Sequence, residues 1–432
     1  MAASWSQLPK DLLELISGSL NSIDLLRFRS VCTSWRSSAP PRPRRLPGGG
    51  LAGFKILPND GISQTSFGFY LSKRTVFLLR PTNPETHPTT DNGWLLKLED
   101  GLPHTKRLLN PLSRNKLNSL PGNLPRVLDL YNFRVFELGQ EYVLHHLQYK
   151  PNSSSFTDAG NLYMEKVVVV WVSGENEFLL LTIHVSGKLA MFKSGDRRWT
   201  IIEDMPSPYD DVIVYKGKFF AVDNTGRTMV VGVNSELGLA ANPVFGGDKK
   251  YLVESEGELL LVDMYLSIDN VEGSSGDEAE LLDQVVQYMS ERTVRFKVFR
   301  LDMEGQRWIE VRSLGDRVLF LGDDSTFSAS SSDLFCCRGN CIFFVDNFFY
   351  SRDGYGSGGD DGGLEDIEET GRDIAVFELE SGYIGPLRNY PEYSKMFSPP
   401  GWVASTSSEP ILYRYDTAHM TAVCIIAALA QK

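Results

Sequence analysis

One pattern recurs along most of this chain: a short apolar run, a turn, then another short apolar run. Val167–Val172, Phe178–Ile183, Val212–Tyr215, Leu259–Tyr265, Val294–Leu301 and Ile374–Leu379 are all too short for ordinary helices and are bounded by turn residues. Runs of this kind read as strands, and a long series of them builds a sandwich, a barrel or a propeller. The 24 Phe and 17 Tyr support the same reading, because aromatic side chains favour strand-rich interiors.

Internal repetition chooses among these folds. Gly217-Lys-Phe-Phe-Ala-Val-Asp223 aligns with Gly257-Glu-Leu-Leu-Leu-Val-Asp263, and Gly339-Asn-Cys-Ile-Phe-Phe-Val-Asp346 aligns with one extra residue. Phe296-Lys-Val-Phe-Arg-Leu-Asp302 matches Ile374-Ala-Val-Phe-Glu-Leu-Glu380, and Trp199, Trp308 and Tyr383 each open a further strand. The unit is an antiparallel meander at blade-sized spacing. Radial repetition is how a propeller hides its strand edges. The expected fold is mainly β, a β-propeller over residues 51–418, with a β-sandwich as the runner-up. Residues 269–292 and 353–373 break the pattern and read as acidic, solvated insertions; Ala279–Met289 in the first has a short helical pattern. Residues 419–432 form a tail or a closing segment.

The first forty residues differ. Leu8, Leu12, Leu15 and Ile16 recur at helical spacing and share one face. Pro9 and Asp11 suit a first turn, and Gly18 suits a stop. A second helix is expected from Ser22 or Asp24 to just before Pro40, with Leu25, Phe28, Cys32 and Trp35 on one stripe and Arg27, Arg29 and Arg36 around it. Two helices this short bury too little surface to fold firmly alone, so their apolar residues need a partner. Residues 41–50, rich in Pro and Gly, read as a linker.

These residues carry a resemblance. Leu8-Pro9-Lys10-Asp11-Leu12-Leu13-Glu14-Leu15-Ile16, then Asp24-Leu25-Leu26-Arg27-Phe28-Arg29-Ser30-Val31-Cys32-Thr33-Ser34-Trp35-Arg36, closely resembles the F-box of plants over residues 1–40. The resemblance implies helices that bind a Skp-type adaptor and, through it, a cullin scaffold carrying the ubiquitin-transfer machinery. Matched by motif, Leu8, Pro9, Leu12, Leu13, Ile16, Leu25, Val31, Cys32 and Trp35 would form or support that interface, with Trp35 as a hot-spot candidate. Leu108-Leu109-Asn110-Pro111-Leu112-Ser113, the Gly-Lys-Phe-Phe-Ala-Val-Asp unit and Ser398-Pro399-Pro400-Gly401-Trp402-Val403 look like the plant KIB-type β-propeller, which commonly follows an F-box.

Other chemistries find less support. The formal net charge of −12 argues against a nucleic-acid partner, and Arg42, Arg44 and Arg45 lie among prolines. Met1–Lys10 lacks a signal-peptide pattern, and no run reaches the roughly 18 apolar residues that span a bilayer. A nuclear or cytoplasmic location, without a membrane partner, is the expectation. Cys336, Cys337 and Cys341 lack a fourth ligand at metal spacing, and His145-His146 alternate across a strand, so no metal or cofactor is expected. Gly354–Gly363 lacks the Lys-Ser/Thr of a phosphate loop. The expectation is a non-catalytic receptor subunit of an SCF-type ubiquitin ligase, its propeller binding an unknown protein target. An adaptor-bound scaffold or regulator acting without ubiquitin transfer is the alternative, and an enzyme built on the propeller is a third reading.

Overall fold

The structure is a computed structural model that describes residues 8–20, 25, 28–29, 31–39, 56–57, 69–81, 93–100, 106–114, 133–146, 164–172, 177–184, 186–196, 199–204, 206–268, 291–334, 338–346 and 373–400. Helix α1 (Lys10–Ser19) and helix α2 (Thr33–Ser38) come first. Strands follow, and all six apolar runs singled out from the sequence are among them.

The first sheet unit holds β1 (Ile56–Leu57), β2 (Phe69–Pro81), β3 (Trp94–Asp100), β4 (Lys106–Leu109) and β5 (Phe133–His146). The second holds β6 (Met164–Trp171), β7 (Phe178–His184), β8 (Leu189–Lys193) and β9 (Thr200–Ile202). A single residue pair, Tyr142 with Val167, joins the two into one nine-stranded sheet. The third sheet is β10 (Tyr209–Tyr215), β11 (Lys218–Asp223), β12 (Thr228–Val231) and β13 (Leu237–Ala241). The fourth is β14 (Lys249–Ser255), β15 (Glu258–Ile268), β16 (Glu291–Asp302) and β17 (Arg307–Val311). The last comprises β18 (Arg317–Leu321), β19 (Thr326–Ser330), β20 (Cys341–Asp346), β21 (Asp373–Glu378) and β22 (Ile384–Pro386), in the order β19-β18-β20-β21-β22.

Five apolar clusters connect these units in a closed cycle. Leu71 and Leu144 pack with Phe178, Phe192 and Trp199, joining the first unit to the second. Leu181 packs with Val212 and Phe219, joining second to third, and Phe220 with Leu261 and Trp308, joining third to fourth. Val262 and Phe296 pack with Ile342 and Phe377, joining fourth to last. Val76, Leu78 and Leu95 pack with Phe320, Phe327 and Phe343, returning from the last unit to the first. Strands β6, β10, β14, β19 and β5 abut one another in turn around the inside. A ring of five sheet units is a propeller arrangement.

The inner edge of β14 is covered by side chains of both neighbouring strands. Asp210 and Asp211 of β10 accept the Lys250 and Leu252 N–H groups of β14 at 2.9 and 2.8 Å. Thr326 and Ser328 of β19 donate to the Leu252 and Glu254 carbonyls of the same strand. Unpaired strand edges are costly or adhesive, and these contacts remove both problems.

The repeats of the sequence occupy equivalent places. Counting inward from the outer edge, β9, β17 and β22 are outermost, β16 and β21 second, and β11, β15 and β20 third. Turns Lys216-Gly217 and Glu256-Gly257 have positive φ at both residues (48° and 74°, 54° and 76°), as two-residue hairpins require. The third copy departs from the expected antiparallel meander: β20 runs parallel to β18, not as its hairpin partner. Gly339 there serves close approach instead, since a Cβ would lie 2.4 Å from the Gly315 carbonyl oxygen. Strand β16 also begins at Glu291, so Glu291 and Arg292 belong to the sheet and not to the insertion before them.

No ladder joins the first unit to the last among the described residues. Side chains close this seam. Arg74 contacts Glu99 at 2.8 Å, Asp324 at 3.0 Å and Glu141 at 3.6 Å. Lys97 meets Glu141 at 3.0 Å, and Arg114 meets Asp324 at 2.6 Å. Three cations and three carboxylates thus balance, which is the condition for burying charge at tolerable cost. Burial alone would raise the Asp324 pKa; Arg114 and Arg74 outweigh it and hold the carboxyl below its ordinary range. The Leu-Asn-Pro-Leu-Ser run belongs to this seam: Asn110 Oδ1 accepts the Leu112 N–H at 2.9 Å, and the Leu112 carbonyl accepts the Asp323 N–H at 2.8 Å. After β22, residues 387–397 turn across the seam, where Tyr393, Met396 and Phe397 join its core.

Candidate functional site

The helical module has its own small core. Leu13, Leu25, Phe28 and Ala39 are buried together, with Leu8, Leu20 and Trp35 packed against them. Helix α1 begins after Pro9, which takes the cap position at φ −55° and ψ 143°, and ends at Ser19, one residue beyond Gly18. Asp11 lies in its first turn, and Lys10 and Glu14 pair on its surface at 3.5 Å.

The second helix is not continuous, which corrects the sequence reading. Leu25, Phe28, Arg29 and Val31 are helical, but Cys32 is extended (φ −162°, ψ 174°) and caps the separate helix α2. Two arginines bridge the break. Arg29 Nη1 donates to the Ala39 and Arg36 carbonyls, and Arg36 Nε donates to the Arg29 carbonyl at 3.1 Å. Arg29 is therefore buried, not spread around the outside as its position in the sequence suggested. With the chain restarted at Cys32, the Trp35 ring comes back onto Phe28, with centroids 4.4 Å apart.

This packing sorts the nine motif residues into two groups. Leu13 and Leu25 are buried in the module, and Leu8 and Trp35 lean on its core. Pro9 is exposed, Cys32 half-buried, and Leu12, Ile16 and Val31 stand out at 47%, 41% and 57% exposure. Leu15 is the most exposed large apolar side chain described in the module, at 70%. It sits three residues from Leu12, so helical spacing marks it, although the nine motif residues leave it out. Leu12, Leu15 and Ile16 form one stripe facing away from Leu13, whereas Leu8 precedes the helix and packs inward. Thirteen large apolar side chains are exposed among the described residues, and four fall within residues 12–31. Such concentration marks an interaction surface, whereas scattered apolar exposure does not. Fully burying a wholly exposed side chain of this kind releases about 1.5–3 kcal/mol, so these four, at 41–70% exposure, would release roughly half of that each before association costs.

The remaining sequence candidates lie elsewhere. Cys341 is buried in β20 with its thiol toward the Arg338 carbonyl, and His145 and His146 end β5. No group of three metal-ligating side chains occurs among the described residues, and no helix among them is long and apolar enough to cross a membrane. Cys336, Cys337, residues 41–50, residues 279–289, Gly354–Gly363 and residues 419–432 lie outside the described residues. Sequence reasoning missed the six charged groups of the seam. Their signal was present: Lys97 and Glu99 sit two apart inside the apolar run Trp94–Glu99, so both charges share one strand face.

Residues 5–40 match the F-box domain, and residues 68–378 match the KIB1-4 beta-propeller. The Arabidopsis thaliana F-box protein SKIP23 is 49% identical over 416 residues, covering 93% of this chain and 96% of that protein. The Arabidopsis thaliana F-box protein At2g17036 is 39% identical over 419 residues, covering 94% and 96%. Among solved structures, a Synechocystis apocarotenoid oxygenase mutant aligns at 12% identity and a TM-score of 0.26 over 75% of this chain and 81% of that one, too distant to inform the site.

Proposed function

This chain belongs to the plant F-box proteins with a KIB1-4 β-propeller, and from that premise we propose that it is the substrate-recognition subunit of an SCF-type ubiquitin ligase. The observation that carries the reading is the outward apolar stripe of Leu12, Leu15 and Ile16, with Val31, on a module whose inward residues are already packed. Helices of this kind dock in an apolar groove, and F-box domains generally bind Skp-type adaptors. Pro9, Leu12, Leu15, Ile16 and Val31 touch the adaptor, while Leu8, Leu13, Leu25, Cys32 and Trp35 hold the helices that present them.

The propeller binds the target protein. Holding a target lysine near a charged ubiquitin carrier raises its effective concentration, so the receptor itself needs no reactive residue. The complex works in the nucleus or cytoplasm, with the adaptor leading to a cullin scaffold. Co-purification with a Skp-type adaptor tests the docking surface. The full chain recovers the adaptor, and Leu12→Asp with Ile16→Asp does not; equal recovery by both refutes the assignment. Proteasome inhibition then reads the second half. A bound target accumulates, whereas unchanged levels of every bound partner would replace this reading with a scaffold that acts without ubiquitin transfer.

A further inference from the structure

The most exposed large apolar side chain among the described residues lies outside the helical module. It is Phe245, at 76%, in the loop that leads from β13 to β14. A phenylalanine exposed on a loose loop would mean little, but this loop is fastened down. The Gly247 N–H donates to Asp263 Oδ2 at 3.0 Å, and the Asp248 N–H to the Met264 carbonyl at 2.7 Å. Lys250 Nζ donates to the Gly247 carbonyl at 2.7 Å, and Asp248 Oδ2 accepts the Leu266 N–H at 2.7 Å. Gly246 passes so close to β15 that a Cβ there would stand 2.4 Å from the Tyr265 hydroxyl. Phe245 is thus held in place beside Tyr265. Tyr265 faces Arg295 across the β15–β16 ladder, and the guanidinium lies over its ring, 4.2 Å from the centroid. Arg295 is exposed, and no carboxylate among the described residues lies within ion-pair distance of it. One pair further along the same face, Lys297 stands opposite Asp263, whose carboxylate already meets Lys250 at 2.6 Å. Next to Arg295, Val294 is the extra residue of a bulge between Tyr265 and Leu266, and it too is exposed. Bulges are a common device for re-aiming side chains at sites.

We infer that this rim of the fourth sheet receives an extended acidic segment of the target protein, with a carboxylate on the Arg295 guanidinium and a neighbouring apolar side chain on Phe245. The Tyr265 ring fixes the plane of the guanidinium and leaves its edge donors free, and such a fork matches a carboxylate. Arginine and tyrosine together are typical of interface hot spots. A polyanion would meet the net charge of −12 of the whole chain, whereas a single carboxylate meets only the local cations. The inference rests on the propeller being the target-binding unit, but not on the adaptor.

The test uses the full chain with its adaptor and three labelled peptides, alternating Glu with Leu, Lys with Leu, and Glu with Ser, read by fluorescence anisotropy. The Glu-Leu peptide binds; the Lys-Leu peptide does not, and the Glu-Ser peptide binds more weakly. Arg295→Glu weakens Glu-Leu binding about tenfold or more, the loss of one charge-assisted contact, and Arg295→Lys falls between. Phe245→Ser removes the preference for Glu-Leu over Glu-Ser while the melting temperature stays unchanged, which a packing residue would not show. Adaptor recovery is unchanged in all variants. Equal affinity of Arg295→Glu for the Glu-Leu peptide, or equal binding of the Lys-Leu peptide, overturns the proposal. So does binding that emerges only after residues 270–289 are replaced by a short Gly-Ser linker, which would make the chain's own acidic insertion the occupant. Displacement of the peptide by inorganic phosphate overturns it as well, by marking a small-anion site. Failure of the unmodified chain to recover the adaptor, with peptide discrimination intact, would sink the ligase reading and leave this site standing.

Discussion

The helical module and the propeller place their apolar residues in opposite ways. In the propeller, large aromatics lie between sheets: Phe320 stacks on Phe327 and Phe343 at 4.6 and 5.1 Å, and the charges buried at the seam form a balanced set. In the module, four apolar side chains form the buried core among the described residues, while Leu12, Leu15, Ile16 and Val31 face outward. The first arrangement is complete within one chain. The second leaves a stripe of apolar side chains exposed. The difference teaches where each unit is vulnerable: the propeller to substitutions inside it, the module to substitutions outside it.

The sharpest break of that comparison is at the seam. Asp324→Ala leaves Arg74 and Arg114 short of one carboxylate in a buried setting. Removing one partner of a buried ion pair typically costs about 3–5 kcal/mol, so the propeller's urea midpoint should fall steeply. Adaptor recovery should survive, because among the described residues the module's core is built from residues 8–39. Loss of adaptor binding with unchanged propeller stability would reverse the assignment of roles.

The outward stripe comes next. Leu12→Asp with Ile16→Asp removes two apolar anchors and adds charge to the interface, a loss of at least 100-fold in adaptor affinity, or about 3 kcal/mol. Leu13→Ala is the matched inward control: it acts through the module's own stability, so circular dichroism of the helices should change with it. If Leu12→Asp disturbed the helices as much as Leu13→Ala, the stripe would be packed and not presented.

Much of this contrast was legible beforehand, for definite physical reasons. Strand runs announce themselves by length and composition, and the repeated Gly-to-Asp units mark the third place from the outer edge in three sheets. The stripe on α1 follows from spacing alone. What spacing does not give is which face turns inward, because a partnered helix can have two apolar sides; Leu13 rather than the stripe fills the core. The break at Cys32 was hidden because Val31, Cys32 and Trp35 also suit a continuous helix, and the Arg29 and Arg36 bonds that bridge it leave no periodic trace. The seam was hidden for a similar reason. Arg74 and Asp324 are 250 positions apart in the chain, and only closure of the ring makes them neighbours.

A smaller effect sharpens the repeat argument. Gly257→Ala adds a methyl group into open space, yet φ there is 76°. The cost is purely conformational, about 1 kcal/mol, and Gly217→Ala at φ 74° should match it. Unequal costs at these two turns would mean that the copies are not structurally equivalent.

A pH-dependent effect distinguishes two kinds of carboxylate inside the propeller. Asp210 caps the inner edge of β14, and burial raises its pKa from 3.8 to about 6, against the pull of the Lys250 N–H and of Lys249 and Lys250. Above pH 6 the folded protein carries a charge it would rather not hold. As pH falls from about 6 toward 3.8, the folded state takes up the proton before the unfolded state does, so this group adds stability over that window. Asp324 behaves in the opposite sense: its pKa is lowered, so its contribution is intact above 3.8 and is lost only as pH falls further. Asp210→Asn keeps an acceptor for the Lys250 N–H without the charge. The variant should be more stable than the parent at pH 7, and the gap should close by pH 4. A gap that stayed constant across that range would mean that Asp210 serves only as a hydrogen-bond acceptor and that its ionisation is not linked to folding.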